Sequence, residues 1–185
     1  HITAALVHAT KKTVAPSSTC KAEFDSNGSI QNVVEHWYKA IKSALQGRAI
    51  QSLAGIGISM PGPFDYEKGI CWIKNQHKYN NFYGSNIKHI LKDTLQLPND
   101  FLILFENDAV CFSKGEVVKN FPDEFERVLA VTMGTGFGAC FIEHNKIITT
   151  DERVPVGGEL YNVPYRSGIA EDFISSRALV AGYAA

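Results

Sequence analysis

The sequence predicts an α/β fold. Three observations carry that reading. Short apolar runs with strand character, "SLAGIGISM" and "FLILF", alternate with stretches of helical spacing. Turn residues separate them at regular intervals, as in "DSNGS", "PGP" and "LPND". Hydrophobic residues make up 45% of the 185 residues and charged residues 20%, the balance of a folded globular chain.

In chain order, residues 2–8 and 20–25 read as strands with a Lys/Pro/Ser turn between them. Ser29 is a suitable N-cap for a helix to about Leu45, with Ile30, Val33, Val34, Trp37, Tyr38, Ile41, Ala44 and Leu45 on one face and Gly47 as its stop. Residues 52–60 read as a strand buried on both faces, and 69–73 as a short strand. Ser85 is the expected cap of a helix through Leu95. Residues 101–105 form a second buried strand, followed by a helix from about Ala109 to Val118. "RVLAVTM" (127–133) and "FGACFIE" (137–143) read as a hairpin joined by "GTG". Residues 144–166 look irregular, and a last helix begins near Ile169, carrying Phe173, Ile174, Leu179 and Val180.

The bulk numbers exclude several functions. A net charge of −1 gives no global attraction to nucleic acid or to anionic membrane. No segment has the length and apolarity of a membrane span. Cys20, Cys71, Cys111 and Cys140 lie about 30 to 50 residues apart without a C-x-x-C pair, which argues against a cysteine-built zinc site. Each sits in or beside an apolar run, as a reduced, buried thiol would. A cytoplasmic location is expected.

Four segments offer chemistry. In "FENDAVCFSKGE", Asn107 and Asp108 stand where a strand ends and a helix begins, the place where open α/β sheets gather ligands. The helix start favours an ionised Asp108, able to accept a hydrogen bond and then a proton from a hydroxyl. Simple helix capping explains either residue as well. In "TMGTGFG", glycines at 134, 136 and 138 allow close approach of an anion, and Thr132 and Thr135 add hydroxyls. A tight turn needing positive φ accounts for the same glycines, and no G-K-[ST] follows. In "VGGELYNV" and "SGIAEDFISSRAL", Glu159 and Glu171 are suited to accept hydrogen bonds from the vicinal hydroxyls of a polyol, or are a loop acid and a first-turn charge. In "GISMPGPFD" and "KNQHKYNNFYG", a rigid turn precedes Asn75, His77 and Asn81, which suit either a polar contact loop or plain surface.

Taken in this order, "GIGISMPGPFD", "FENDAVCFSKGE", "VTMGTGFGACFI" and "GGELYNV…GIAEDFISSRAL" resemble the ROK family of sugar kinases and sugar-responsive repressors. The resemblance covers most of residues 52–180. It implies the actin-like ATPase fold of two ribonuclease-H-like lobes, with 1–106 as the N-terminal lobe and 107–185 as the start of the C-terminal one. It also implies ATP with magnesium and phosphoryl transfer to a sugar hydroxyl, and a possible homodimer. Asp108 would be the catalytic base and Asn107 a sugar ligand. Thr132, Gly134, Thr135 and Gly136 would lie against the nucleotide phosphates. Glu159, Asn162 and Glu171 would hold the sugar. The G-E-x-G-H segment of the family is altered, with Tyr161 for its glycine and Asn162 for its histidine, and the cysteine-rich zinc loop has no counterpart, so no metal site in the protein itself is expected. The family's opening D-x-G-G-T loop and its C-terminal portion are not seen, so the sequence reads as the middle of a longer chain. A sugar-binding regulator without catalysis is the alternative.

Overall fold

The computed structural model describes residues 1–75, 78–120, 125–134 and 136–183. The chain divides into two compact units, His1–Glu106 and Asn107–Ala185.

The first unit opens with strands β1 (Ile2–Ala4), β2 (Val7–His8), β3 (Thr13–Val14) and β4 (Cys20–Ala22). β1 pairs with β4 and β2 with β3, both antiparallel. The two longer strands expected here are interrupted. The buried Ser18 accepts a hydrogen bond from Leu6 N at 3.0 Å and donates to Ala15 O at 2.8 Å, while Ser17 takes a φ of 57°. A serine hydroxyl thus replaces ladder bonds and lets the strands change direction.

Helix α1 (Ile30–Leu45) begins where Ser29 accepts from Asn32 N and ends at Gln46, in the left-handed region, followed by Gly47 at φ 82°. It buries Val33, Val34, Trp37, Ala40, Ala44 and Leu45 against β1, β4 and α2 (Ile87–Leu95). The Trp37 ring stacks on Phe82 with centroids 5.8 Å apart. Ile87, Leu91, Ile103 and Phe105 complete the core, each worth about 1.5–3 kcal/mol on burial. The cap of α2 is Asn86 rather than Ser85, because the Asn86 side chain reaches His89 N at 3.0 Å.

β6 (Phe64–Asp65) and β7 (Ile70–Cys71) form a small antiparallel pair, and β5 (Ile56–Met60) lies beside β8 (Ile103–Asn107). The expectation that residues 52–60 and 101–105 are buried on both faces is corrected. Gly57 and Ser59 are exposed, as are Leu102 and Leu104, while Ile103 and Phe105 face the core. The described core covers one face of this pair, so the residues alternate along it.

The second unit packs helix α3 (Asp108–Asn120) on a three-stranded antiparallel sheet in the order β11-β10-β9, with β9 at Arg127–Met133, β10 at Phe137–Glu143 and β11 at Lys146–Ile148. Val117, Cys140 and Ile142 are its buried centre. The hairpin has the expected ends, with Met133 opposite Phe137 and Thr132 opposite Gly138. β11 lies in a stretch expected to be irregular. Beside it the Arg153 guanidinium grips Glu143 at 2.9 and 3.0 Å and Asp151 at 2.7 Å through both oxygens. A short hairpin of β12 (Pro164–Tyr165) and β13 (Gly168–Ile169) follows. The single last helix expected from Ile169 is two, α4 (Glu171–Ile174) and α5 (Ser176–Tyr183), because Ser175 adopts extended torsions between them.

Candidate functional site

Within the second unit, contacts link several of the expected site residues at its surface. β8 ends at Asn107, whose Oδ1 accepts a hydrogen bond from Val110 N at 3.1 Å and so caps α3. Asp108 is the first residue of that helix and is exposed, with Oδ1 accepting from Ala109 N at 2.9 Å. The capping role is therefore filled chiefly by Asn107, which leaves the Asp108 carboxylate facing solvent. Ala109 ties this corner to the glycine turn. A Cβ placed on Gly138 would stand 2.8 Å from the Ala109 Cβ and would also meet the Thr132 hydroxyl. Gly138 is a glycine because the helix start lies against it.

The other two glycines have different reasons. None of Gly134, Gly136 and Gly138 has a φ between +20° and +160°, so left-handed torsion does not account for them. At Gly136 a Cβ would come 2.7 Å from Glu171 Oε2. That carboxylate reaches across the turn, where Oε2 accepts from Phe137 N at 2.9 Å and Oε1 binds Arg177 Nη2 at 2.8 Å. Of the three, Gly134 has open space: among the described residues, its chain neighbours aside, no atom lies within 4 Å of where a Cβ would stand. Its N–H donates to Gly136 O and its carbonyl accepts from Ser176 N. Thr135 lies outside the described residues.

Gly157 and Gly158 do need glycine, at φ 77° and 70°, and they turn the chain into Glu159. Glu159 is exposed. Close to it, Glu171 N donates to Tyr161 O at 3.0 Å. Burial, then the nearby charges of Glu159 and Glu171, push the Tyr161 phenol above its ordinary pKa. Asn162 is exposed in the following turn, where Val163 N donates to Leu160 O. Tyr161 and Arg177 are the residues of this surface that sequence reasoning did not single out as site residues. Their link to the glutamates depends on the folded loop.

The first-unit loop is accounted for structurally. Asn81 donates to Asn27 O at 2.7 Å and Gly28 O at 3.2 Å, and Asn75 N donates to Asn80 Oδ1. His77 lies outside the described residues.

By shape, the open face at Gly134 leaves room for an approaching phosphate, while the Thr132 hydroxyl lies against Gly138. Among the described residues no group of three or more His, Cys, Asp or Glu converges as a metal cage would, and magnesium bound through nucleotide phosphates needs only one or two carboxylates. No described helix is long and apolar enough to cross a membrane.

The fold is that of actin-like ATPases. The structure is similar to a glucokinase from Parabacteroides distasonis, with a TM-score of 0.61 and 27% identity over 83% of this chain and 44% of the other. It also matches a ROK family glucokinase from Streptomyces griseus in complex with glucose and AMPPNP, with a TM-score of 0.68 and 21% identity over 97% of this chain and 55% of that one. The ROK family model matches residues 1–154, and the chain belongs to the ROK family. An N-acetyl-D-glucosamine kinase of Mannheimia succiniciproducens is 30% identical over 130 residues, covering 68% of this chain and 39% of the relative. The chain thus spans well under half the length of the curated relatives it matches. Asn107, Asp108 and the glycine turn fall inside the family match, and Glu159, Asn162 and Glu171 beyond it.

Proposed function

We propose that the full-length protein is an ATP-dependent sugar kinase acting on a hydroxyl of a hexose or N-acetylhexosamine. One observation carries this reading: the exposed Asp108 carboxylate stands at a helix start whose next residue, Ala109, lies against Gly138, where the chain enters β10 after the glycine turn. The kinase names of the relatives support it.

In this reading Thr132, Gly134, Thr135 and Gly136 would hold the phosphates of magnesium-bound ATP, and the nucleotide supplies the γ-phosphoryl group. The sugar hydroxyl oxygen bonds to that phosphorus as the bond to the bridging oxygen breaks, and ADP leaves. Asp108 orients the hydroxyl and takes its proton late. Asn107 aligns a neighbouring hydroxyl. Glu159, Glu171 and Asn162 accept hydrogen bonds from the rest of the ring. Two lone pairs of Glu171 are already taken by Phe137 N and Arg177, so the sugar meets a carboxylate held in place. The setting proposed is cytoplasmic, with small-molecule partners, no nucleic acid and a homodimeric assembly.

The test is an ATP-consumption screen of the full-length protein across hexoses and N-acetylhexosamines. Sugar-dependent ADP release is expected. Sugar binding without ADP release would overturn the kinase reading in favour of a sugar-responsive regulator.

A further inference from the structure

We propose that Arg177 is a positioning residue for the glycine turn: acting through Glu171, it fixes the shape of the turn and masks a negative charge beside it. This rests on the reading that the turn receives the phosphates of ATP. The turn is held from both flanks by one short segment of chain. Gly134 O accepts from Ser176 N at 2.8 Å, and Phe137 N donates to Glu171 Oε2 at 2.9 Å. Between these anchors Gly134 N donates to Gly136 O at 2.9 Å. Gly136 is bare where the carboxylate passes, since a Cβ there would stand 2.7 Å from Glu171 Oε2. The other carboxylate oxygen, Oε1, meets Arg177 Nη2 at 2.8 Å.

A carboxylate bonded to an anion-binding turn needs a partner for two reasons. Unpaired, it repels a phosphate that approaches the same turn. Anchored at one end only, it can rotate away and release Phe137 N. The Arg177 guanidinium, charged at every working pH, meets both needs through one contact. The side chains of Arg177 and Glu171 are 66% and 23% exposed, and an ion pair in that setting adds little to folding. Its effect is therefore expected in the charge and geometry of the turn, where nucleotide binding reads it.

The experiment measures the dissociation constant of the full-length protein for a non-hydrolysable ATP analogue with magnesium, in the absence of sugar. Arg177→Ala is expected to raise it about three- to thirtyfold while the protein still melts cooperatively. Arg177→Lys keeps a positive charge within reach of Oε1 and is expected to stay within about threefold of the parent. In a Glu171→Gln background the alanine change is expected to cost less than about threefold, because no carboxylate is left to hold or mask. An alanine variant within about threefold of the parent overturns the proposal and leaves the kinase reading standing. A rise of more than about threefold in the Glu171→Gln background also overturns it, since Arg177 would then act by another route. If the alanine variant does not melt cooperatively, Arg177→Gln is judged by the same criteria. A parent protein that binds no nucleotide analogue overturns the nucleotide reading itself, and this proposal with it.

Discussion

Replacing Asp108 by Asn separates catalysis from folding at one atom. The asparagine side chain has the same shape, and its carbonyl can accept the 2.9 Å hydrogen bond from Ala109 N. The residue is exposed, so no buried charge is left behind. What the fold loses is the favourable placing of a negative charge at the start of α3, about 0.3–1 kcal/mol. What catalysis loses is the group that takes the proton, typically about 10²–10⁴-fold in rate. At about 1.36 kcal/mol per decade the second loss is about 2.7–5.5 kcal/mol, several times the first. A coupled assay of ADP release is expected to show kcat lowered by at least about a hundredfold with the KM for ATP little changed. Thermal melting in parallel is expected to move by only a few degrees, on the order of 4–8 °C per kcal/mol for a unit of this size. A kcat within about threefold of the parent would remove Asp108 from the mechanism. A lost melting transition would assign the defect to folding.

Glu159→Ala is expected to raise the KM for sugar more than the KM for ATP, and the reverse pattern in steady-state kinetics would refute its assignment. Gly138→Ala forces a methyl against Ala109, so its urea midpoint should fall by an equivalent of about 1–3 kcal/mol. Gly134→Ala, with open space around it, should leave the midpoint nearly unchanged and raise the KM for ATP. Equal midpoints in the two variants would contradict the packing account of Gly138. The last prediction concerns acid. Hydrogen bonds from Arg153 hold both Asp151 and Glu143 below the usual carboxylate range, so the stability they confer is present above the unfolded-state values near pH 4 and is lost as pH falls through the lower folded-state values. Arg153→Gln should therefore lose less of its melting temperature between neutral pH and about pH 3 than the parent does, and equal losses would refute the role of the network.

The legible parts of the fold are those specified by near neighbours in the chain. The ends of β9 and β10 follow from two apolar runs around one glycine turn, and α1 follows from Ser29 and an apolar stripe. The cap of α2 was displaced by one residue because Ser85 and Asn86 both suit the position and the choice depends on which reaches His89 N. The break at Ser18, the pairing of β11 and the extended Ser175 each depend on partners the local sequence does not specify. An apolar run such as "FLILF" states that both faces tolerate burial, and only the packed neighbours decide that Leu104 stays exposed. The candidate site divides similarly. Asn107, Asp108 and the glycines were visible as residue types at a strand end and a turn. The reach of Glu171 to Phe137 N, across 34 positions, has no local signal, and neither has the hydrogen bond from Glu171 N to Tyr161 O.

The paired glycines before Glu159 make the geometry of that loop more conservative than its chemistry. Gly157 and Gly158 both adopt torsions natural to mirror-image residues, and a methyl on the second would press to 2.7 Å from Ile148 O. The acid they present can be exchanged for another side chain without disturbing the bend. Redesign of this rim is therefore free to alter what Glu159 offers to a visitor and obliged to leave untouched the two bare positions that aim it.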